Sequence, residues 1–147
     1  MYEAVLLPTD GSEGTRAAVE HAIDHAKRYD AALHVIYVVD ARIGVAHETT
    51  PEAIFGELEE QGQQAIEDVH TKARAADVET IEGVVARGNP HQAILDYAAA
   101  QDIDLIVMGT HGRTGLDHYL IGSVTEKVVR LADVPVLTVP LPEETSD

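Results

Sequence analysis

Leu105-Ile106-Val107-Met108-Gly109-Thr110-His111-Gly112-Arg113-Thr114-Gly115-Leu116-Asp117-His118-Tyr119-Leu120-Ile121-Gly122-Ser123 changes character three times within one stretch. Leu105–Met108 is short and apolar on both faces, the pattern of a strand buried inside a parallel sheet. From Gly109 to Ile121 no helical period is present. A loop of that length inside a small domain is usually functional. Its glycines allow backbone N–H groups to turn inward and come close to a ligand. Ser123-Val124-Thr125-Glu126 then has the capping-box pattern of a helix start, with Val124, Val128 and Leu131 facing inward. Free N–H groups and the positive end of the helix dipole favour an anion there. A glycine-rich loop between a strand and a helix is, on these grounds, a phosphate cradle. It is not a Walker A loop, because no G-K-[ST] is present, and its glycine spacing differs from the dinucleotide GxGxxG.

The same alternation extends outward in both directions. Val5-Leu6-Leu7 is a buried strand that ends in the turn Pro8-Thr9-Asp10-Gly11-Ser12. Ser12 is placed to cap a helix carrying Ala18, Ala22, Ile23 and Ala26 on one face. Ala32–Val39 is a second strand, followed by a loop from Asp40 to about Thr49. Thr49-Thr50-Pro51-Glu52 reads as the start of a long helix with Ile54, Leu58, Ala65, Val69 and Ala76 on one face. Gly56 and Gly62 weaken its first half. Thr80–Ala86 is a third strand, and Asn89-Pro90 caps a helix with Ile94, Leu95 and Ala98 inward. Val136–Val139 is a fifth strand. Strands alternating with helices predict one α/β domain with a parallel sheet and right-handed crossovers. Residues 1–141 form the domain in this reading, and 142–147 a short acidic tail. Ligands of such sheets sit at the carboxyl ends of strands, where the strand order reverses.

Composition narrows the function classes. The 147 residues carry 10 Lys and Arg against 26 Asp and Glu, a formal charge of −16. No basic run offsets it, which argues against nucleic-acid or anionic-membrane partners. No apolar run approaches the ~20 residues of a membrane span. Met1-Tyr2-Glu3 lacks the basic start of a secretion signal. The absence of cysteine excludes disulfides and thiolate metal sites. The expected location is the cytoplasm. Low lysine, high acid and no cysteine together point to adaptation to high salt, where a short screening length makes carboxylate repulsion tolerable.

Gly109-x2-Gly112-x9-Gly122-Ser123 resembles, without a gap, the ATP-binding signature G-x2-G-x9-G-[ST] of the universal stress protein family. The resemblance covers the whole chain. It includes the strand ending in Pro8-Thr9-Asp10-Gly11-Ser12, the strand ending in Val38-Val39-Asp40, Gly88-Asn89-Pro90, and the Pro-flanked terminal strand. It implies strand order 3-2-1-4-5, a homodimer, and ATP bound with Mg2+ or Mn2+ at the ends of strands 1 and 4. By position, Pro8, Thr9 and Asp10 border the site, with Asp10 on the ribose and metal side. The backbone near Val39 meets the adenine, and Met108 and Gly109 line the base and ribose. His111 flanks the loop, while Gly112, Arg113, Gly122, Ser123, Val124 and Thr125 surround the phosphates. The implied role is a stress-response or signalling protein that switches with nucleotide; the alternative is a slow ATPase or phosphotransferase using the same site.

Several residues have two readings. Asp10 serves ligand or braces its turn. The Ser123 hydroxyl meets phosphate or caps the N–H of Glu126. His111 and His118 in the loop, and His21 and His25 on a polar helix face, read as solvated residues rather than metal ligands. Val136–Val139, apolar and at a sheet edge in the implied order, is the expected dimer seam.

Overall fold

Val5, Leu6 and Leu7 have no measurable solvent exposure, so the first strand is covered on both faces. That burial follows from its place at the centre of a parallel sheet. The computed structural model describes residues 2–40, 51–110 and 122–140. Along these the elements run β1 (Ala4–Pro8), α1 (Glu13–Tyr29), β2 (Ala32–Asp40), α2 (Pro51–Ala75) and β3 (Ile81–Gly88). They continue with α3 (Pro90–Ala100), β4 (Leu105–Gly109), α4 (Ser123–Leu131) and β5 (Val136–Val139). All strand pairs are parallel and the order is β3-β2-β1-β4-β5. The expected fold is therefore present, with strand ends extended by a residue or two. The loop after Asp40, the Thr49-Thr50 cap and the acidic tail lie outside the described residues. Among the described residues, no helix is long and apolar enough to cross a membrane.

Strand alternation sends side chains to two cores. Val5, Leu7, Val35, Tyr37, Val39 and Val107 pack with α1 and α2 on one face. Leu6, Ile36, Ile106 and Met108 pack with α3 and α4 on the other. The connection after β1 thus leaves toward one face, and the connection after β4 toward the opposite face.

Helix α2 corrects its sequence reading. It runs unbroken through Gly56 and Gly62. Its innermost residues are Phe55, Ala65, Ile66, Val69 and Ala73, while Ile54 and Leu58 are half-buried. The stripe is displaced because buried Gly62 belongs to it. A Cβ at Gly62 would lie 2.6 Å from Tyr37 Cδ1, so the missing side chain is the space the Tyr37 ring occupies. On β3, a Cβ at Gly83 would overlap Ile66 Cγ2, so the edge strand also lies close under the helix. Arg87 at the end of β3 sits 4.6 Å over the Phe55 ring and pairs with Glu59 at 2.9 Å. The hydrogen bond to Glu59 raises the guanidinium pKa further.

The caps differ from expectation in one consistent way. Ser12 and Asn89 occupy N-cap positions, but neither side chain caps its helix. Their carbonyls open the helices instead, accepting from Thr15 N and Ala93 N. At the other ends, Asp30, Asp77 and Asp102 adopt left-handed φ values of 53°, 68° and 52°. Each is followed by an N–H that reaches back five residues: Ala31 to Ala26, Val78 to Ala73, and Ile103 to Ala98. These are Schellman closures with aspartate where glycine is usual, each sealed by a buried apolar residue.

One buried polar pair crosses the second core. His34 on β2 is 5% exposed, and its Nδ1 lies 2.7 Å from the Tyr97 hydroxyl on α3. Burial lowers the His34 pKa; Glu82, its register partner on β3, opposes the shift more weakly. Burial also raises the Tyr97 pKa, so the hydroxyl keeps its proton at neutral pH. In the unfolded chain His34 titrates near its ordinary value. Protonation therefore favours unfolding as pH falls below about 6.5, and the penalty levels off below the folded pKa. His34→Gln should remove this component. Thermal melts from pH 7.5 to 5 should show wild type losing stability relative to the variant as the pH drops.

Candidate functional site

Two chain segments meet the ligand position of an open parallel sheet. β1 and β4 are neighbours, in register at Val5–Leu105 and Leu6–Ile106, and their connections leave on opposite faces. This is the point where strand order reverses and a crevice opens at the carboxyl ends.

The turn after β1 is tied together by its own side chains. Thr9 N donates to Ile36 O at 2.9 Å, extending the β1–β2 ladder. Gly11 N donates to Thr9 Oγ1 at 3.1 Å, and Ser12 N donates to Asp10 Oδ1 at 2.9 Å. Thr15 Oγ1 donates to Ser12 O, so across the 3.2 Å contact between the two threonine hydroxyls Thr9 is the donor. Gly11 has φ +78°, the conformation this tight turn needs. Asp10 thus does brace its turn, and it is half-buried at the mouth of the crevice. Thr9 is buried with its hydroxyl engaged in the turn, and Pro8 is buried beside it.

Thr110, at the end of β4, is tied to both Gly122 and β5. Gly122 N donates to Thr110 O at 2.7 Å, and Thr110 N donates to Val139 O at 3.0 Å. Thr125, 5% exposed, donates its hydroxyl to Gly109 O at 2.8 Å. The first turn of α4 is thereby fixed against the end of β4. Gly122 is the N-cap, with φ −56° and ψ 151°, and its carbonyl accepts from Glu126 N at 2.9 Å. The capping-box reading of Ser123 and Glu126 is corrected by this geometry. The helix opens one residue earlier, Ser123 is exposed in its first turn, and Glu126 pairs with Arg130 at 3.1 Å. Val124 is half-buried and packs against the second core. His111, Gly112 and Arg113 lie outside the described residues.

The remaining site residues flank these two segments. Val39 points into the first core near the end of β2, leaving only its backbone toward the crevice. Met108 points into the second core. His25 Nδ1 lies 2.9 Å from the His21 carbonyl on the surface of α1, as two solvated histidines should. Among the described residues no cluster of three or more His, Cys, Asp or Glu has the arrangement of a metal site.

One feature beside the crevice escaped the sequence reading. An open groove of about 460 Å³ lies on the helix side of Asp10, lined by Asp10, Ser12, Tyr37, Gln61, Gln64 and Asp68 among others. Its signal was available: positions 61, 64 and 68 fall on one face of α2 at helical spacing.

Known proteins with this arrangement are numerous. Residues 1–140 match the Universal stress protein family. The Universal stress protein MJ0531 of Methanocaldococcus jannaschii is 40% identical over 146 residues, covering 98% of this chain and 85% of the relative. The solved structure of MJ0577, from the same organism, superposes with a TM-score of 0.86 at 30% identity, covering 98% of this chain and 99% of that one. A universal stress protein solved in complex with cAMP gives a TM-score of 0.70 at 26% identity, with 96% and 98% covered. Agreement of fold, strand order and near full-length sequence places this chain in the universal stress protein family.

Proposed function

We propose that this chain binds ATP, together with Mg2+ or Mn2+, at the carboxyl ends of β1 and β4, and serves as a nucleotide-dependent stress-response switch rather than a strong catalyst. The carrying observation is the closure at Gly122. Gly122 N donates to Thr110 O at the end of β4, and Gly122 opens α4, so the strand end and the helix N-terminus are held side by side. Gly122 has φ and ψ that any residue adopts, so conformation does not demand glycine there. What the missing side chain provides is room for close approach to the N–H groups of the first turn. Phosphate at that position meets the first-turn N–H groups and the positive helix end. The cAMP complex of a relative supports an adenine nucleotide as ligand class.

In this reading Asp10 faces the ribose and the metal ion, the backbone at Val39 meets the base, and Met108 and Gly109 line the base and ribose. Gly112, Arg113, Gly122, Ser123, Val124 and Thr125 surround the phosphates, with His111 at the loop's flank. Thr125 contributes by fixing the helix start, since its hydroxyl proton is engaged by Gly109 O. Residues 1–141 act as one nucleotide-binding domain followed by the acidic tail, in the cytoplasm. The test is titration calorimetry with Mg-ATP, paired with identification of the nucleotide released when freshly purified protein is denatured. Saturable binding and an adenine nucleotide are expected; absence of both overturns the proposal.

The functional unit is a homodimer joined through β5. That strand is an edge of the sheet, and Val136, Leu137 and Thr138 are half-exposed. Val129 and Leu131 on the adjoining α4 are exposed at 44% and 53%, Leu131 contrary to the inward position expected of it, which enlarges the apolar surface beside the edge. Antiparallel pairing with the same strand of a second chain satisfies the open ladder. Light scattering should give twice the chain mass for wild type and half of that for Thr138→Pro, which removes a donor from the open edge, since Ile106 N and Thr110 N donate to Pro135 O and Val139 O and the alternate residues of β5 therefore face away from β4.

The −16 charge makes stability salt-dependent. Screening shortens from about 10 Å at 0.1 M to about 3 Å at 1 M salt. Melting temperature should climb steeply with KCl across that range; a flat profile contradicts salt adaptation.

A further inference from the structure

We propose, resting on the nucleotide reading above, that Arg87 is a positioning residue for the base end of the site: it ties the start of α2 to the end of β3 and so fixes the structure beside the backbone of Val39. Val39 is paired in register with Arg87, and Asp40 with Gly88, so the last residues of β2 and β3 lie side by side at the carboxyl end of the sheet. The Arg87 guanidinium reaches three residues of α2 at once. Its Nε donates to Glu59 Oε2 at 2.9 Å, its Nη1 lies 3.8 Å from Glu52 Oε1, and its Cζ stands 4.6 Å from the centre of the Phe55 ring. Positions 52, 55 and 59 follow at helical spacing, so one side chain of β3 spans two turns of the helix. Phe55 belongs to the same core as Val39, which places this start of α2 on the face of the sheet where Val39 is buried.

The rest of α2 is held by other means. In its middle, Gly62 faces the Tyr37 ring and Ile66 faces Gly83, and neither contact admits one added carbon. Close packing of that kind fixes a helix without charge. Between Glu52 and Gln61, Phe55 alone is buried, while Ile54 and Leu58 are half-buried. Arg87 covers that one ring and supplies the counter-charge to both carboxylates. Removing it lets the start of α2 shift while the middle stays seated. An exposed arginine–carboxylate pair contributes little to global stability. A displaced wall beside the base changes how ligand fits, and that is the larger consequence here.

Arg87 is exposed, so its replacement leaves the core intact. Wild type, Arg87→Ala and the charge-swapped pair Arg87→Glu with Glu59→Arg are compared by calorimetry with Mg-ATP and magnesium tripolyphosphate. Arg87→Ala should weaken Mg-ATP binding by about five- to tenfold, the range of coupling carried by residues that do not touch the ligand. The swapped pair should recover most of that loss, because a guanidinium again joins the two elements. Tripolyphosphate, which has no base, should bind all three proteins alike. Mg-ATP affinity unchanged in Arg87→Ala would show that the contact serves the fold alone and overturns the proposal. Equal weakening of both ligands would mark a general loosening and overturns it too. So does a swapped pair that binds Mg-ATP no better than Arg87→Ala. Failure of wild type to bind either ligand overturns the nucleotide reading itself.

Discussion

Gly122→Val is expected to weaken Mg-ATP binding by about a hundredfold, a few kcal/mol of steric overlap at the phosphate position. The fold should survive. Gly122 has φ −56° and ψ 151°, a region β-branched residues favour, and its amide still reaches Thr110 O. The added isopropyl group instead occupies the approach to the first N–H groups of α4. Calorimetry and circular dichroism should therefore separate: binding lost, spectrum and melting temperature nearly unchanged. Equal affinity in the two proteins would move the phosphates away from this loop. A collapsed spectrum would show that the glycine is required by packing.

Two glycines on one helix should respond in opposite directions to the same change. Gly62→Ala is expected to destabilise by about 1–3 kcal/mol, the cost of overpacking a filled core. Its Cβ would stand 2.6 Å from Tyr37 Cδ1 and 3.0 Å from Cγ, atoms in the body of a ring that is only 3% exposed. The ring cannot swing aside as the end of a flexible chain would. Gly56→Ala has nothing within 4 Å of the new methyl group among the described residues. It should stabilise by about 0.5–1 kcal/mol through helix propensity alone. Chemical denaturation of the two variants measures both. Two variants shifted the same way would show that propensity, not the Tyr37 contact, governs the helix.

The sheet was legible because a parallel strand covered on both faces has to be a continuous apolar run, and Val5–Leu7 and Leu105–Met108 are such runs. Strand order came from family resemblance, since apolar runs carry no information about neighbours. The caps were less legible. A Ser or Asn before a helix marks where it starts, but not which atom satisfies the first amides. At Ser12 and Asn89 the backbone carbonyl opens the helix and the side chain makes no capping bond, and at Gly122 the carbonyl alone is available. The inner stripe of α2 was misread because Gly62 contributes to the core by absence, and hydrophobic periodicity counts only side chains that are present. The glycine spacing identified the loop, yet the neighbouring groove depends on Asp10 and α2 being brought together, which only tertiary structure does. Ala65 illustrates this: its Cβ lies 3.5 Å from the position a Cβ on Gly11 would take.

Aspartates 30, 77 and 102 also bear on engineering. Each closes a helix in a left-handed conformation that costs a non-glycine residue about 1 kcal/mol or more, and each places a carboxylate beside carbonyls already carrying partial negative charge. Helices in this fold run opposite to the strands, so all three closures lie at the amino ends of the strands. The proposed nucleotide site is a full strand length away. They form a reserve of unrealised stability, physically insulated from ligand chemistry. Replacing them with asparagine or glycine would remove carboxylates from an acidic chain at positions remote from the proposed site.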